Sequence, residues 1–417
     1  MPDILVIGGG PGGSTAATLL ARKGFSVTLL ERERFPRFQV GESLLPYNND
    51  LFARLGIDGQ LAAGSFVPKH GAEFVTADGT VGNIFHFAEN LPARYASAFQ
   101  VKRAEFDDLL LRNAAANGVD VRQETAVTSV DVSDPARAVV RTAKGETLEA
   151  RFVIDASGHG AILGNRVGEK ELVESLKKVA IFAHYTNVVL REGIDRGNTV
   201  IVVLRDGWFW MIPVSADVTS IGLVVDKDHL TNCGLTPEEL LARTIAATPF
   251  VGGRMTAAER TTPVYVRRDF SFGMRKVAGD NFALVGDAAG FLDPIFSTGV
   301  FMAMKSADLA ADAIEARLRA GARRPLRRYQ QSVHKALAKY FRFIDHFYRR
   351  EFLEVFLQPG GNRLLVREIV GILAGNVFTR EGSRWRLALF FFLVRLQKRG
   401  VIAGRIPWEA LPSPASV

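Results

Sequence analysis

The chain of 417 residues has a single cysteine, Cys233, so no disulfide can form within it. That excludes a disulfide-stapled secreted scaffold and sets the expectation of a reducing, cytoplasmic compartment. No apolar run reaches the roughly 20 residues that a membrane-spanning helix needs. The longest candidate, Leu387–Val394, is short and is followed by Arg395. The opening MPDILVIGGG has no basic stretch ahead of an apolar one, so it does not read as a signal peptide. Histidines are few, and His184, His229, His334 and His346 lack metal-ligand spacing. They read as structural or surface residues, and no metal is expected. Tryptophan is scarcer still: of four, two stand one residue apart in RDGWFWMIPV, Arg205–Val214.

Acidic residues thin out toward the C-terminus. Between Ala316 and Arg405 there are 20 Lys+Arg against 5 Asp+Glu, although the whole chain is only +8. RRPLRRYQQSVHKALAKYFRFIDHFYRREFLEVF, Arg323–Phe356, interleaves arginine with aromatics. This pattern suits helices with an aromatic inner face and a basic outer one. The outer face can meet solvent, an acidic partner or an anionic surface. No nucleic-acid-binding fold accompanies the charge, so nucleic acid is not expected as a partner.

Hydrophobic residues at 47% and charged residues at 23% are ordinary for a globular protein of two or three domains. The first thirty residues read as a βαβ unit: the strand DILVIG, a glycine turn, a helix from Ser14 to Lys23 stopped by Gly24, and the strand FSVTLLE. Gly8, Gly10 and Gly13 form G-x-G-x-x-G between strand and helix, and Glu31 ends the second strand. In this pattern Gly8 permits the tight turn, Gly10 lets the backbone approach a pyrophosphate, and Gly13 allows close helix packing. The helix N-terminus then faces the phosphates and Glu31 accepts from a ribose hydroxyl. Helices are further expected over Asn48–Leu55, Phe106–Asn117 and Thr298 to about Leu318, the last broken by Pro325. Thr199–Val225 alternates like strands of a β-rich middle domain. If WFWMIP is a strand, Trp208 and Trp210 share one face and Phe209 takes the other.

VIDASG (Val153–Gly158) and LVGDAAG (Leu284–Gly290) resemble the later flavin motifs of two-dinucleotide flavoproteins. In those motifs Asp287 would meet the FAD ribitol or pyrophosphate. GESLLP, Gly41–Pro46, supports the same reading, and Arg103 is grouped with the cofactor-binding residues. There is no second G-x-G-x-x-G after a strand, so a resident NAD(P)H site is not evident.

GGGPGGSTAA, GESLLP, Lys69 in FVPKHGAEF, WFWMIP and GDAAGFLDPIFSTG stand in one order, and over roughly the first 320 residues the chain resembles the flavin-dependent halogenases. The resemblance implies an α/β fold. Its FAD-binding Rossmann-like, doubly wound domain would comprise 1–75, 95–165 and 270–322. An inserted antiparallel β-sheet substrate domain would comprise 76–94 and 166–269, with a helical C-terminal region over 323–417. It also implies a chemistry: reduced FAD and oxygen give a flavin hydroperoxide, halide attacks it, and the hypohalous acid travels down an inner passage to a lysine. Lys69 would be that lysine, activating the oxidant or holding it as a haloamine. Ser297, Thr298 and Gly299 match the family's S-T-G, with Ser297 catalytic alongside Lys69, Gly299 meeting the cofactor, and Thr298 and Gly299 holding chloride or bromide ahead of a helix. Trp208, Trp210, Ile212, Pro213 and Phe296 would wall the passage between flavin and substrate.

Tryptophan-specific members of the family carry glutamate where Phe296 stands. DPIFSTG looks instead like halogenases of pyrroles and phenols, several of which act on substrates tethered to an acyl or peptidyl carrier protein. The expected partners are an electron-rich aromatic substrate, a carrier protein and a separate flavin reductase, with peripheral membrane contact a lesser prospect. The readings that compete are an FAD-dependent reductase of the prenyl or geranylgeranyl type and an FAD hydroxylase, both related in fold, and a flavin-binding protein without catalysis, such as a membrane-surface or carrier-binding module.

Overall fold

The computed structural model describes residues 1–360, 363–378, 384–400 and 402–416. Five parallel strands form the first sheet, in the order Phe282–Leu284, Phe152–Asp155, Ile4–Ile7, Val27–Leu30, Asp120–Arg122. Their apolar residues are buried throughout the inner strands, as a sheet covered on both faces requires. The first helix spans Pro11–Arg22, three residues earlier at its start than the apolar spacing suggests, because Pro11 is well suited to a first helical turn. It packs against the long helix Gly299–Ala320. That helix ends at Gly321, whose φ of +66° makes a left-handed cap. Pro325 therefore does not break it; it opens the next helix, Arg324–Phe347.

The second sheet has nine strands, running from Gly290–Phe291 through Tyr265–Met274, Lys170–Thr186, Thr219–Asp226, Gly207–Pro213, Thr199–Val203 and Gly71–Thr76 to Gly82–His86, with Glu259–Arg260 beside Lys170–Thr186. Three features depart from expectation. Residues 270–274 and Gly290–Phe291, placed by sequence on the nucleotide-binding side within 270–322, belong to this large sheet. The sheet is antiparallel except where Thr199–Val203 runs parallel to Gly71–Thr76. Gly71–Thr76, placed by sequence on the nucleotide-binding side up to residue 75, is hydrogen-bonded into this large sheet. A short strand-like run such as GAEFVT, buried on both faces, does not itself say which sheet it joins.

The two faces of the strand Gly207–Pro213 enter different cores. Trp208, Trp210 and Ile212 join the main core toward the nucleotide-type sheet. Phe209 and Met211 join a separate core under the helix Pro237–Ala247. The C-terminal region consists of the helices Arg324–Phe347, Arg350–Leu357, Arg363–Ala374 and Arg384–Gln397. Tyr340, Phe343 and Phe347 are buried on the first of these, while Arg327, Arg328, Lys335 and Arg342 are exposed. No described helix is long and apolar enough to cross a membrane.

Candidate functional site

A cavity of about 1150 Å³ lies between the parallel sheet and the large sheet. Its floor is the glycine turn. Gly8 has φ +101°, and a Cβ there would stand 2.5 Å from the Ala156 carbonyl oxygen. A Cβ on Gly13 would stand 1.8 Å from the Gly8 carbonyl oxygen. Both positions admit only glycine, because backbone presses on backbone. Gly10, in contrast, faces open space, with Arg37 at 3.6 Å as its nearest neighbour. The turn therefore lets the N-terminus of the helix Pro11–Arg22 face the cavity closely, as an anion such as a pyrophosphate requires. Glu31, buried at the cavity wall, accepts from Gly9 N at 2.6 Å and Glu33 N at 2.8 Å. These bonds aim its carboxylate along the wall. The donor set fits a dinucleotide.

Arg103 and Asp287 also line the cavity. Burial works against the Arg103 charge, but bidentate contact with Asp107 at 2.8 and 2.9 Å holds its pKa above the ordinary value. Asp287 is 3.3 Å from His159. Ser297 (φ +54°) and Thr298 lead into the helix Gly299–Ala320, and Ser297, Thr298, Gly299 and Val300 all face the cavity. The Thr298 side chain makes no capping bond to that helix. The first N–H groups of a helix have no partner within it, so this end offers donors and a positive dipole to a small anion.

Trp208, Trp210 and Ile212 form the cavity's far wall. The indoles lie 6.0 Å apart at 50°. Each has its N–H tied down: Trp208 to Tyr348 Oη at 3.0 Å, Trp210 to Ser220 Oγ at 3.1 Å. Trp210 lies directly across Gly222, where an added Cβ would meet the ring at 2.1 Å.

Three residues placed by sequence at the passage do not line this cavity. Pro213 closes the strand beyond it. Phe296 points away into a cluster of rings, 5.8 Å from Phe347, 6.3 Å from Phe343 and 6.2 Å from Phe74. Lys69 is buried behind the wall, 2% exposed, at the end of the strand Val67–Lys69. Its amine donates to Ser43 Oγ at 2.8 Å and the Leu44 carbonyl at 3.3 Å, and it sits 5.7 Å from the Phe87 ring. Desolvation pushes its pKa down to about 7. An amine so placed is available as a nucleophile or a hydrogen-bond donor near neutral pH.

Several further residues meet at the site. Glu42 and Ser43 line the cavity from within GESLLP, and Thr199 lines it from the opposite sheet. His184, expected to be merely structural, pairs with Glu42 at 2.7 Å. Tyr348 and Asp293 anchor Trp208. The quoted GESLLP motif was a usable signal for Glu42 and Ser43. Nothing in the sequence connects Tyr348 to a tryptophan 140 residues earlier. Among the described residues no cluster of side chains suits a metal ion.

The tryptophan halogenase family model matches residues 3–92 and 86–352. The chain belongs to that family. It is a flavin-dependent halogenase, an FAD enzyme that uses chloride or bromide, and the reductase and hydroxylase readings are not favoured. This halogenase is 31% identical over 406 residues to a 1H-pyrrole-2-carbonyl-[peptidyl-carrier protein] chlorinase of Pseudomonas fluorescens, covering 90% of each chain. It is 30% identical to the corresponding brominase of Pseudoalteromonas luteoviolacea, over 93% of this chain and 95% of the relative. Its structure matches that of the flavin-dependent brominase Bmp2 with a TM-score of 0.83 and 29% identity, over 96% and 100% of the two chains.

Proposed function

We propose that this enzyme halogenates a pyrrole or phenol ring carried on an acidic carrier protein, and that Lys69 delivers the halogen. The observation that carries the reading is the placement of Lys69: a buried amine, one serine behind the cavity wall. Gly8, Gly10, Gly13, Glu31, Arg103 and Asp287 would hold FAD. Held there in the form reduced by a separate flavin reductase, FAD would supply hypohalous acid from oxygen and halide. Thr298 and Gly299, at a helix N-terminus beside Ser297, would hold the halide where donors and dipole favour an anion. Trp208, Trp210 and Ile212 wall this chamber on its far side, keeping the organic substrate from the flavin and the oxidant from bulk water.

The carrier-bound substrates of the two pyrrole-halogenating relatives support carrier attachment, and so does the basic outer face of the C-terminal helices, which suits an acidic partner. A cytoplasmic setting fits the lone, unbridged Cys233. The division into a nucleotide-binding part, a β-rich substrate part and a helical C-terminal part fits the same scheme, with the substrate received between the last two.

The test is mass spectrometry of products from free and carrier-bound pyrroles and phenols, with reduced FAD and oxygen, with and without bromide. Halide-dependent mass shifts on carrier-bound rings are expected. Halogenation of free tryptophan alone would overturn the substrate assignment.

A further inference from the structure

Lys69 does not touch the cavity, yet two hydroxyls that do touch it stand between them. Ser43 Oγ is 2.8 Å from Lys69 Nζ and 2.8 Å from Thr199 Oγ1. Gln100 Nε2 donates to Thr199 Oγ1 at 2.9 Å and to the Gly197 carbonyl at 3.0 Å. All four residues are buried. The backbone builds the arrangement. Val67–Lys69 pairs with Ala98–Gln100, and the Glu42–Leu44 segment bonds to the same segment through Val101 N to Glu42 O at 2.8 Å and Leu44 N to Phe99 O at 2.9 Å. Gly197 brings Thr199 alongside, since a Cβ there would stand 1.8 Å from the Pro68 carbonyl oxygen.

The donor directions in this chain are constrained. Thr199 Oγ1 already accepts from the Gln100 amide, so its own proton is free to point to Ser43. When Lys69 is charged it donates to Ser43, and the Ser43 proton turns to the cavity. When Lys69 is neutral, Ser43 can donate to the amine lone pair and receive from Thr199. Switching between the two arrangements moves one proton between the lysine and the cavity without moving a heavy atom.

We propose that Ser43, held by Thr199 and Gln100, is a positioning and proton-relay residue that exchanges the Lys69 proton with the cavity and presents hypohalous acid to the amine. The inference rests on the halogenase reading of Lys69 and adds a path to it. In the step it serves, the amine nitrogen attacks the halogen of hypohalous acid. The N–X bond forms and the O–X bond breaks. The leaving hydroxide takes one amine proton through Ser43 and departs as water. The halogen remains formally +1, so no further oxidant is needed.

The test uses Ser43→Ala, Ser43→Thr and Thr199→Val in the full chain. Two readouts are followed: partition of halogen between organic product and a hypohalous-acid trap in solution, and the titration of Lys69 by NMR of 13C-labelled lysine in flavin-free protein. Assignment comes from Lys69→Met. Ser43→Ala should lower product formation by on the order of 100-fold, shift halogen to the trap, and move both the Lys69 titration and the acid limb of the pH–rate profile. Ser43→Thr, which keeps the hydroxyl, should restore product and profile. Thr199→Val should give a smaller loss in the same direction. If Ser43→Ala keeps the parent's partition, titration and pH profile, the relay is overturned while the halogenase reading stands. If the unsubstituted enzyme gives neither halogenated product nor trapped hypohalous acid, the halogenase reading itself fails.

Discussion

The indole N–H of Trp208 donates to the Tyr348 hydroxyl at 3.0 Å, and Tyr348 donates in turn to Asp293 at 2.7 Å. Three distant parts of the chain meet here: the tryptophan strand, the end of the first C-terminal helix, and the loop that leads into Ser297. Burial and the neighbouring Asp293 carboxylate push the Tyr348 pKa well above its usual value, so the phenol stays protonated and keeps donating.

Tyr348→Phe should therefore do more than delete one hydroxyl. It leaves the Trp208 N–H and an Asp293 oxygen without this partner, a loss of about 1–3 kcal/mol of stability. Thermal unfolding should show it. Because the wall loosens beside the cavity, hypohalous acid should also escape to a solution trap more readily than from the parent enzyme.

Gly222→Ala tests the seating of the second indole. The added methyl would collide with the Trp210 ring, which lies 2.1 Å from that position and is itself packed 5.6 Å from Phe182. A cost of about 1–3 kcal/mol is expected from overpacking. Tryptophan fluorescence should shift, and product should fall relative to trapped oxidant.

Lys69→Met should abolish halogenation while leaving bound flavin in place. It should also stabilise the fold. Burial lowers the Lys69 pKa from 10.5 to about 7. Between those values the unfolded chain holds a proton that the folded one has released, so stability rises with pH across that window. Below about 7 both states are charged, and the cost of a buried ammonium is present in full. Lys69→Met removes that cost. Its advantage should be on the order of a few kcal/mol at pH 6 and shrink toward pH 10. Chemical denaturation at a series of pH values measures it. In the parent, halogenation through a neutral amine should rise with pH through about 7.

Ionic strength separates carrier docking from chemistry. If the exposed Arg327, Arg328, Lys335 and Arg342 face attracts an acidic carrier, raising salt should slow halogenation of a carrier-bound ring much more than that of a free phenol. Equal salt responses would remove the docking role from this surface.

Much of the fold was legible in advance because its signals are local. The G-x-G-x-x-G turn, the strand before it and the helix after it lie within a few residues of one another. Their backbone constraints are visible as glycines that nothing else can replace. Alternation alone placed Trp208 and Trp210 on one face and Phe209 on the other. Less legible were contacts between segments far apart. Phe296 was expected at the passage, yet it joins rings from the C-terminal helices, because packing among Phe343, Phe347 and Phe356 is a property of helix docking rather than of spacing.

By itself, the sequence determined a flavin-binding α/β chain with a halogenase's ordered motifs, since short-range backbone geometry and residue chemistry are written in consecutive residues. Only the tertiary structure decided that Lys69 lies behind the cavity rather than in it. Only the assembled sheets bring Ser43, Thr199 and Gln100 to that amine from three separate segments. Burial and hydrogen-bond direction depend on what the rest of the chain places around a group, and these set the lysine's proton affinity.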